Sequence, residues 1–337
     1  MNRKTVITII QVVVFIGLAV FLIVWQLGKM TQIQRDEMVD SILSANLWYL
    51  LPVAAVGFFA HYFRALRWKL LLETLSIRPS NANTFFAVMI GYLVNAVLPR
   101  FGEVAKCTVL AKYEKVPADK MVGTIVAERA WDLVCLIIIM VLSLALQADV
   151  IGSYASGLFN DLKNQSGHKL LYVGIGLVLL VVIFLLTYQR IKKTKVGQAI
   201  RGIGDGVKSI MHMKRRWLFV GYTFGVWGCY LFMIMLGLWG VPPTANMGWL
   251  VGFTILSFGS ISMIITPGGL GSYPPIIAAI LLLYGVSEPG GLAFGWVAWS
   301  AQTAVIVLFG ILSLILLPLL NRVPSHAKIA VDPEQNS

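Results

Sequence analysis

Charge is what this sequence is short of. Only 12% of its 337 residues are Asp, Glu, Lys or Arg, about half the share of an ordinary soluble domain. With 58% hydrophobic residues and a mean hydropathy of +0.81, the chain does not read as a water-soluble globule. Cysteine is scarce as well. Cys107, Cys135 and Cys229 are odd in number and widely spaced, which argues against a disulfide framework or a thiolate metal cluster. The four histidines fall on four separate segments without ligand spacing, so no metal or cofactor is expected. Acids are scarcer than bases, 15 against 27, and the net charge is +12. In a soluble protein that balance would suggest nucleic acid, but no aromatic-interleaved basic motif accompanies it. Short alternating segments are missing too, which excludes a transmembrane β-barrel.

What the chain has instead is long apolar runs: 5–27, 47–66, 121–147, 169–189, 217–240 and 291–318. Each approaches the ~20 residues that a helix needs to cross a bilayer. The first is too long for a signal-peptide core and no small-x-small site follows it, so it is expected to be a retained span. Two further regions, 82–113 and 246–286, are apolar but interrupted. The fold class expected is therefore an all-α polytopic membrane protein.

Lys and Arg collect in cytoplasmic loops, and their distribution sets orientation. The N-terminus carries Arg3 and Lys4, residues 64–78 carry four cations, and 100–120 carry five. Segment 189–217 carries nine against Asp205, whereas 148–168, "VPPTANMG" and "GVSEPGG" are poor in them. The pattern alternates if 82–113 enters and leaves on the inner side and 246–286 on the outer side. That predicts six full spans plus two re-entrant or broken hairpins in inverted orientation, with both termini inside. Opposed interrupted hairpins are a hydropathy signature of inverted-repeat transporters. Residues 1–322 are expected to form one integral membrane domain and 323–337 a disordered cytoplasmic tail, the whole placed as a multi-pass protein of the cell (inner or plasma) membrane. Segment 195–213, with Val196, Ile200, Ile203, Val207 and Ile210 at helical steps among lysines and arginines, reads as a basic amphipathic helix suited to an anionic leaflet.

Three groups of polar residues interrupt the apolar runs. A charge in hydrocarbon is costly, so such residues lie near an interface, pair with one another, or line a polar cavity. In "HYFRALRW", His61, Arg64 and Trp68 share a helix face with Arg67 beside them. They read either as an interfacial anchor or as a guanidinium site for a lipid phosphate. In "NAVLPRFGEVAKC", Pro99 breaks the backbone, and irregular backbone at membrane depth needs protein or water around it. Asn95 and Arg100 become headgroup candidates there; Glu103 is placed to pair with Arg100, and a helix begins near Gly102. In "AERAWDL", Glu128 and Asp132 are four apart on one face, with Arg129 between them. Their expected partners are Arg64, Arg67 or Arg100, near the inner face. The second break, "TPGGLGSYPP", is uncharged, and Pro267, Gly268, Gly269 and Gly271 make it a gate or a backbone ligand site.

Taken together, "FRALRWKLLL", "GYLVNAVLPRFGEVAKC", "GTIVAERAWDL" and "TPGGLG" resemble the lysylphosphatidylglycerol synthase transmembrane-region family over about 45–320. The resemblance implies a flippase-like fold with broken helices around a central cavity. In bifunctional relatives this region moves an aminoacylated phospholipid and a separate soluble domain makes it. That domain is not expected here, so aminoacyl transfer does not carry over. Arg64, Arg67 and Trp68 match the basic-aromatic motif, and Asn95, Pro99, Arg100, Gly102 and Glu103 match the first break. Glu128, Arg129 and Asp132 match the acidic span, and Pro267, Gly268, Gly269 and Gly271 the second break. Many relatives carry an acid after those glycines, where this chain has Ser272, Tyr273 and Pro274. The expected partner is a phospholipid or lipid-linked substrate, with no nucleic acid; a lipid-synthesis enzyme and a dimer are compatible. A translocase leads, with no catalytic residue assigned. A glycosyl or acyl transferase on a lipid phosphate and an accessory subunit of an envelope-lipid synthase stay open as alternatives.

Overall fold

The computed structural model describes residues 24–98, 101–147 and 206–321, together with 17, 20 and 21. The principal helices, in chain order, are α1 (Gln32–Leu43), α2 (Leu50–Glu73), α3 (Asn81–Val97), α4 (Gly102–Glu114) and α5 (Ala118–Leu146). They are followed by α6 (Arg216–Gly240), α7 (Trp249–Ile265), α8 (Tyr273–Leu282) and α9 (Glu288–Leu320). Among the described residues there is no strand.

Four helices are long and apolar enough to cross a membrane: α2 with its preceding 3-10 turn (Leu47–Glu73), α5, α6 and α9. They correspond to the expected spans at 47–66, 121–147, 217–240 and 291–318. The expected span at 169–189 lies outside the described residues, as do most of that at 5–27 and the tail at 323–337. Local chemistry sets the ends. Ser80 accepts from Asn83 N (3.1 Å) to cap α3, and Ser287 accepts from Gly290 N (3.2 Å) to cap α9, each satisfying an amide the first turn leaves free. Lys115 stops α4 in the left-handed region, at φ 54°.

α3 and α4 form a hairpin. Glu114, ending α4, accepts from Ser80 N at 2.9 Å and Asn83 Nδ2 at 2.8 Å, at the start of α3. α7 and α8 form a second, in which the Thr254 hydroxyl meets that of Tyr284 at 3.1 Å. The base of the first lies beside Asn321 at the end of α9, while the second closes against Gln147 just beyond α5. Since α5 starts near the first base and ends at the second, the hairpins enter from opposite ends of the bundle. With 13 and 10 residues, the returning arms α4 and α8 are about 20 and 15 Å long at ~1.5 Å per residue, short of the ~30 Å hydrocarbon core. The Pro267–Gly269 turn packs against α3, so the hairpins meet inside the bundle.

The breaks are built differently. Leu98 leaves α3 in an extended conformation, and Pro99 and Arg100 lie outside the described residues. A methyl on Gly102 would overlap the Gly91 carbonyl oxygen and the Asn95 side chain, so only glycine lets the two arms approach this closely. At the second break Gly268, Gly269 and Gly271 sit at φ 63°, 71° and 76°, where an L side chain is strained. The Ser272 hydroxyl lies 2.7 Å from that of Ser262 and 2.6 Å from that of Thr266, fastening the start of α8 to the end of α7.

Each hairpin has its own core. Trp68, Met89, Leu110 and Met121 pack together from α2 to α5. Met235, Ile255, Ile277 and Phe294 do so from α6 to α9. Of the expected basic amphipathic helix at 195–213, only 206–213 is described. There Ile210 is fully buried against Leu70, Leu71 and Phe219, so it packs on the protein rather than on a leaflet.

Candidate functional site

Between the two cores three helices present charge to one another. On α2, Arg64 and Arg67 point toward α5, where the four-residue spacing sets Glu128 and Asp132 one above the other. Arg67 Nη2 lies 2.7 Å from Asp132 Oδ1 and 3.3 Å from Glu128 Oε1. Arg64 Nη1 lies 3.2 Å from Asp132 Oδ2 and 3.6 Å from Glu128 Oε1. From α4, Lys106 Nζ reaches Glu128 Oε2 at 2.8 Å. Arg67 and Glu128 are wholly buried, and Arg64 is 7% exposed. Desolvated charges are tolerated where partners surround them, and Glu128 has three.

These residues sit deeper than the inner-face position that their sequence context suggests. Asp132 is fourteen residues into α5, about 21 Å from its start and at its midpoint; on α2, which runs the other way, Arg64 stands nine residues before Glu73, about 14 Å from the same end. The arginines therefore do not snorkel to solvent. Glu103 does not depend on Arg100 for a partner: its Oε1 accepts from Arg129 Nη2 at 2.7 Å, in the more exposed part of the cluster. Asn95 Oδ1 accepts from Gly102 N at 2.8 Å, closing the first break across the hairpin.

A cavity of about 770 Å³ runs from this cluster through the bundle. Arg64, Asp132, Glu103, Arg129 and Asn95 form one end. Asn46, Leu47 and Leu50, all exposed, form the other, and mostly apolar side chains line the wall between. Gly268 reaches this wall, where its carbonyl oxygen accepts a hydrogen bond from the Trp299 indole Nε1 at 2.8 Å. Arg67 and Glu128 stand behind Arg64 and Asp132, off the cavity surface. Gly102 lies in an adjoining crevice of about 10 Å³ with Lys106, on the order of one water molecule. Gly269 and Gly271 shape the second break without facing the cavity. Arg64 Nε and Arg67 Nε and Nη1 have no hydrogen-bond partner among the described residues. Asp132 Oδ1, close as it is to Arg67, sits off the line of a hydrogen bond.

Sequence reasoning did not pick out Lys106, which sits among cations assigned to a loop. Its signal is helical: Gly102 and Lys106 are one turn apart. Nor did it pick out the uncharged cluster of Ser143, Gln147, Thr254 and Tyr284 at the far end of α5, where Ser143 and Thr254 hydroxyls are 3.0 Å apart. Hydroxyls and amides leave no trace in a count of charge.

The model of the lysylphosphatidylglycerol synthase TM region matches residues 8–324. The chain belongs to that family. Within it, a stretch of 109 residues is 25% identical to the UPF0104 membrane protein MJ1595 of Methanocaldococcus jannaschii, covering 32% of this chain and 32% of that one. The chain is thus aligned with about a third of that relative's length. No solved structure matches. Both comparisons agree with an integral membrane protein of this family; the roles of individual residues rest on the geometry above.

Proposed function

We propose that this protein is a lipid translocase of the cell membrane, taking a phosphate-bearing headgroup into its cavity while the acyl chains stay in the bilayer. One observation carries the reading: a single cavity joins a charged end at mid-depth to an apolar wall and an exposed mouth. Such a surface suits an amphiphile. Arg64 is the headgroup contact, because a guanidinium binds phosphate oxygens with paired donors and its Nε is uncommitted. Asn95 lines the same end, and Arg67 and Lys106 hold the acids that position Arg64. Exposed Lys112, Lys115, Lys120, Arg215 and Arg216 gather where the first hairpin enters; the positive-inside rule assigns that end to the cytoplasm. The cavity mouth then faces outward, and the ion-pair cluster is the inner seal.

The test is leaflet transfer of labelled phosphatidylglycerol and phosphatidylethanolamine in proteoliposomes. Arg64→Gln should slow transfer about tenfold, the scale of one charge-assisted hydrogen bond, with the variant still eluting as folded protein. Transfer equal to wild type would remove Arg64 from the site. Conversion of the labelled lipid to a new product would favour an enzyme.

A further inference from the structure

The cavity also opens sideways. Leu133, Ile264 and Ile265 line it, yet they are 39%, 69% and 61% exposed. Other cavity-lining residues on the same two helices are covered: Leu136 is 7% exposed, Leu256 5% and Ile255 fully buried. Leu133 is on α5 and the isoleucines end α7, so the opening lies between these two helices.

Its level follows from the contacts above it. α5 and α7 run antiparallel and are clasped by Ser143 with Thr254 and by Gln147 Nε2 donating to Leu250 O at 2.9 Å. Ten residues separate Ser143 from Leu133, and ten separate Thr254 from Ile264. Both are about 15 Å from the clasp at ~1.5 Å per residue, so they stand at one height. Leu133 directly follows Asp132, which holds Arg64. The sideways opening and the charged end therefore share a level near the middle of α5.

We infer that the α5–α7 gap at Leu133 and Ile264 is a binding site for the acyl chains of a phospholipid whose headgroup occupies the Arg64–Asp132 end. The inference rests on the translocase reading and adds the pose: a lipid lying across the bundle, halfway between leaflets, chains leaving through the gap. Bilayer lipid is the occupant because the gap opens between α5, long and apolar enough to cross the membrane, and α7, a shorter apolar helix, and because the cavity behind it ends in charge. The clasp closes the gap toward the second hairpin's base, so chains reach that leaflet only when Ser143, Gln147, Thr254 and Tyr284 part.

The experiment places a photo-activatable benzophenone side chain at position 264, and separately at 311, an exposed position on α9 away from the cavity. Each is irradiated in proteoliposomes of phosphatidylcholine with phosphatidylglycerol, and adducts are identified by mass. The phospholipid adduct at 264 should fall severalfold when Arg64→Gln is added, while that at 311 stays constant. An adduct at 264 indifferent to Arg64→Gln overturns the inference, as does one formed with the chain's own residues 148–205. Leu133→Trp with Ile264→Trp gives the transport arm. It should block transfer of labelled phosphatidylglycerol severalfold, and Ile311→Trp should not. Wild-type protein that moves no lipid would overturn the translocase reading itself. Transfer that the paired tryptophans leave intact would overturn only the gap.

Discussion

Lys106 and Glu128 meet across α4 and α5 with 2.8 Å between ammonium and carboxylate, the acid wholly buried and the lysine side chain 8% exposed. This contact binds the first hairpin to the long span beside it. The same carboxylate serves Arg67 and Arg64, so one acid restrains three cations.

Removing that acid should be the most damaging change in the cluster. Glu128→Gln leaves Lys106 and Arg67 buried with one carboxylate fewer, and breaking such a pair typically costs ~3–5 kcal/mol. Lys106→Met should cost less, because Glu128 keeps two guanidinium partners and the thioether fills the space over Trp68, whose ring centroid lies 4.3 Å from Nζ. Denaturant unfolding in detergent measures both. A Glu128→Gln protein as stable as wild type would show that the cluster is solvated rather than buried.

Arg129 and Glu103 provide the contrast. Their 2.7 Å pair has side chains 46% and 27% exposed, and exposed pairs contribute ~0–1 kcal/mol. Arg129→Ala should therefore change unfolding by less than about 1 kcal/mol, with the difference shrinking as salt rises. A loss on the scale of Glu128→Gln would mean that this end of the cavity is closed to water.

Much of this was legible in the sequence, and the residues show why. Glu128 and Asp132 stand four apart in an apolar run, so each needs a partner, and Arg64, Arg67 and Arg100 are the cations of matching depth; the ion pairs join the first two to both acids, while Arg100 lies outside the described residues. Depth itself was not legible. Positive residues at a span's end, such as Arg64 and Arg67, look interfacial, whereas here α2 and α5 overlap so that the cluster falls at the middle of α5. Glu103 finds Arg129 because α4 turns that carboxylate toward α5, a matter of helix rotation that spacing across a proline break cannot fix. The opposed hairpins were visible as interruptions in hydropathy. The clasp of Ser143, Gln147, Thr254 and Tyr284 was not, because neutral polar side chains barely alter an apolar run.

Two glycines should respond oppositely to the same substitution. In Gly102→Ala the new methyl meets the Gly91 carbonyl and the Asn95 amide, backbone and a bonded side chain that cannot give way cheaply. Overpacking of this kind typically costs ~1–3 kcal/mol, and transfer should fall as the hairpin loosens. Gly123, in the interior of α5, has nothing within 4 Å of the added carbon. Gly123→Ala should stabilise by ~0.5–1 kcal/mol through helix propensity. Thermal unfolding of the pair decides the matter: equal shifts would mean that α3 and α4 are not pressed together at Gly91 and Gly102.

Asn95 joins stability to transport, and two substitutions separate them. Its side-chain oxygen caps the free amide of Gly102 at 2.8 Å while the residue faces the cavity. Asn95→Ala removes the acceptor and should cost ~1 kcal/mol, as the loss of a helix cap does. Asn95→Asp keeps an acceptor and sets a negative charge at the start of α4, which is favourable by ~0.3–1 kcal/mol; the hairpin should stay as stable as wild type. Transport should follow the other order. A carboxylate at position 95 opposes an incoming phosphate beside Arg64, so Asn95→Asp should lower transfer of labelled phosphatidylglycerol more than Asn95→Ala does. If transfer instead tracks unfolding in both variants, Asn95 is a brace for the break and the headgroup lies elsewhere along the cavity.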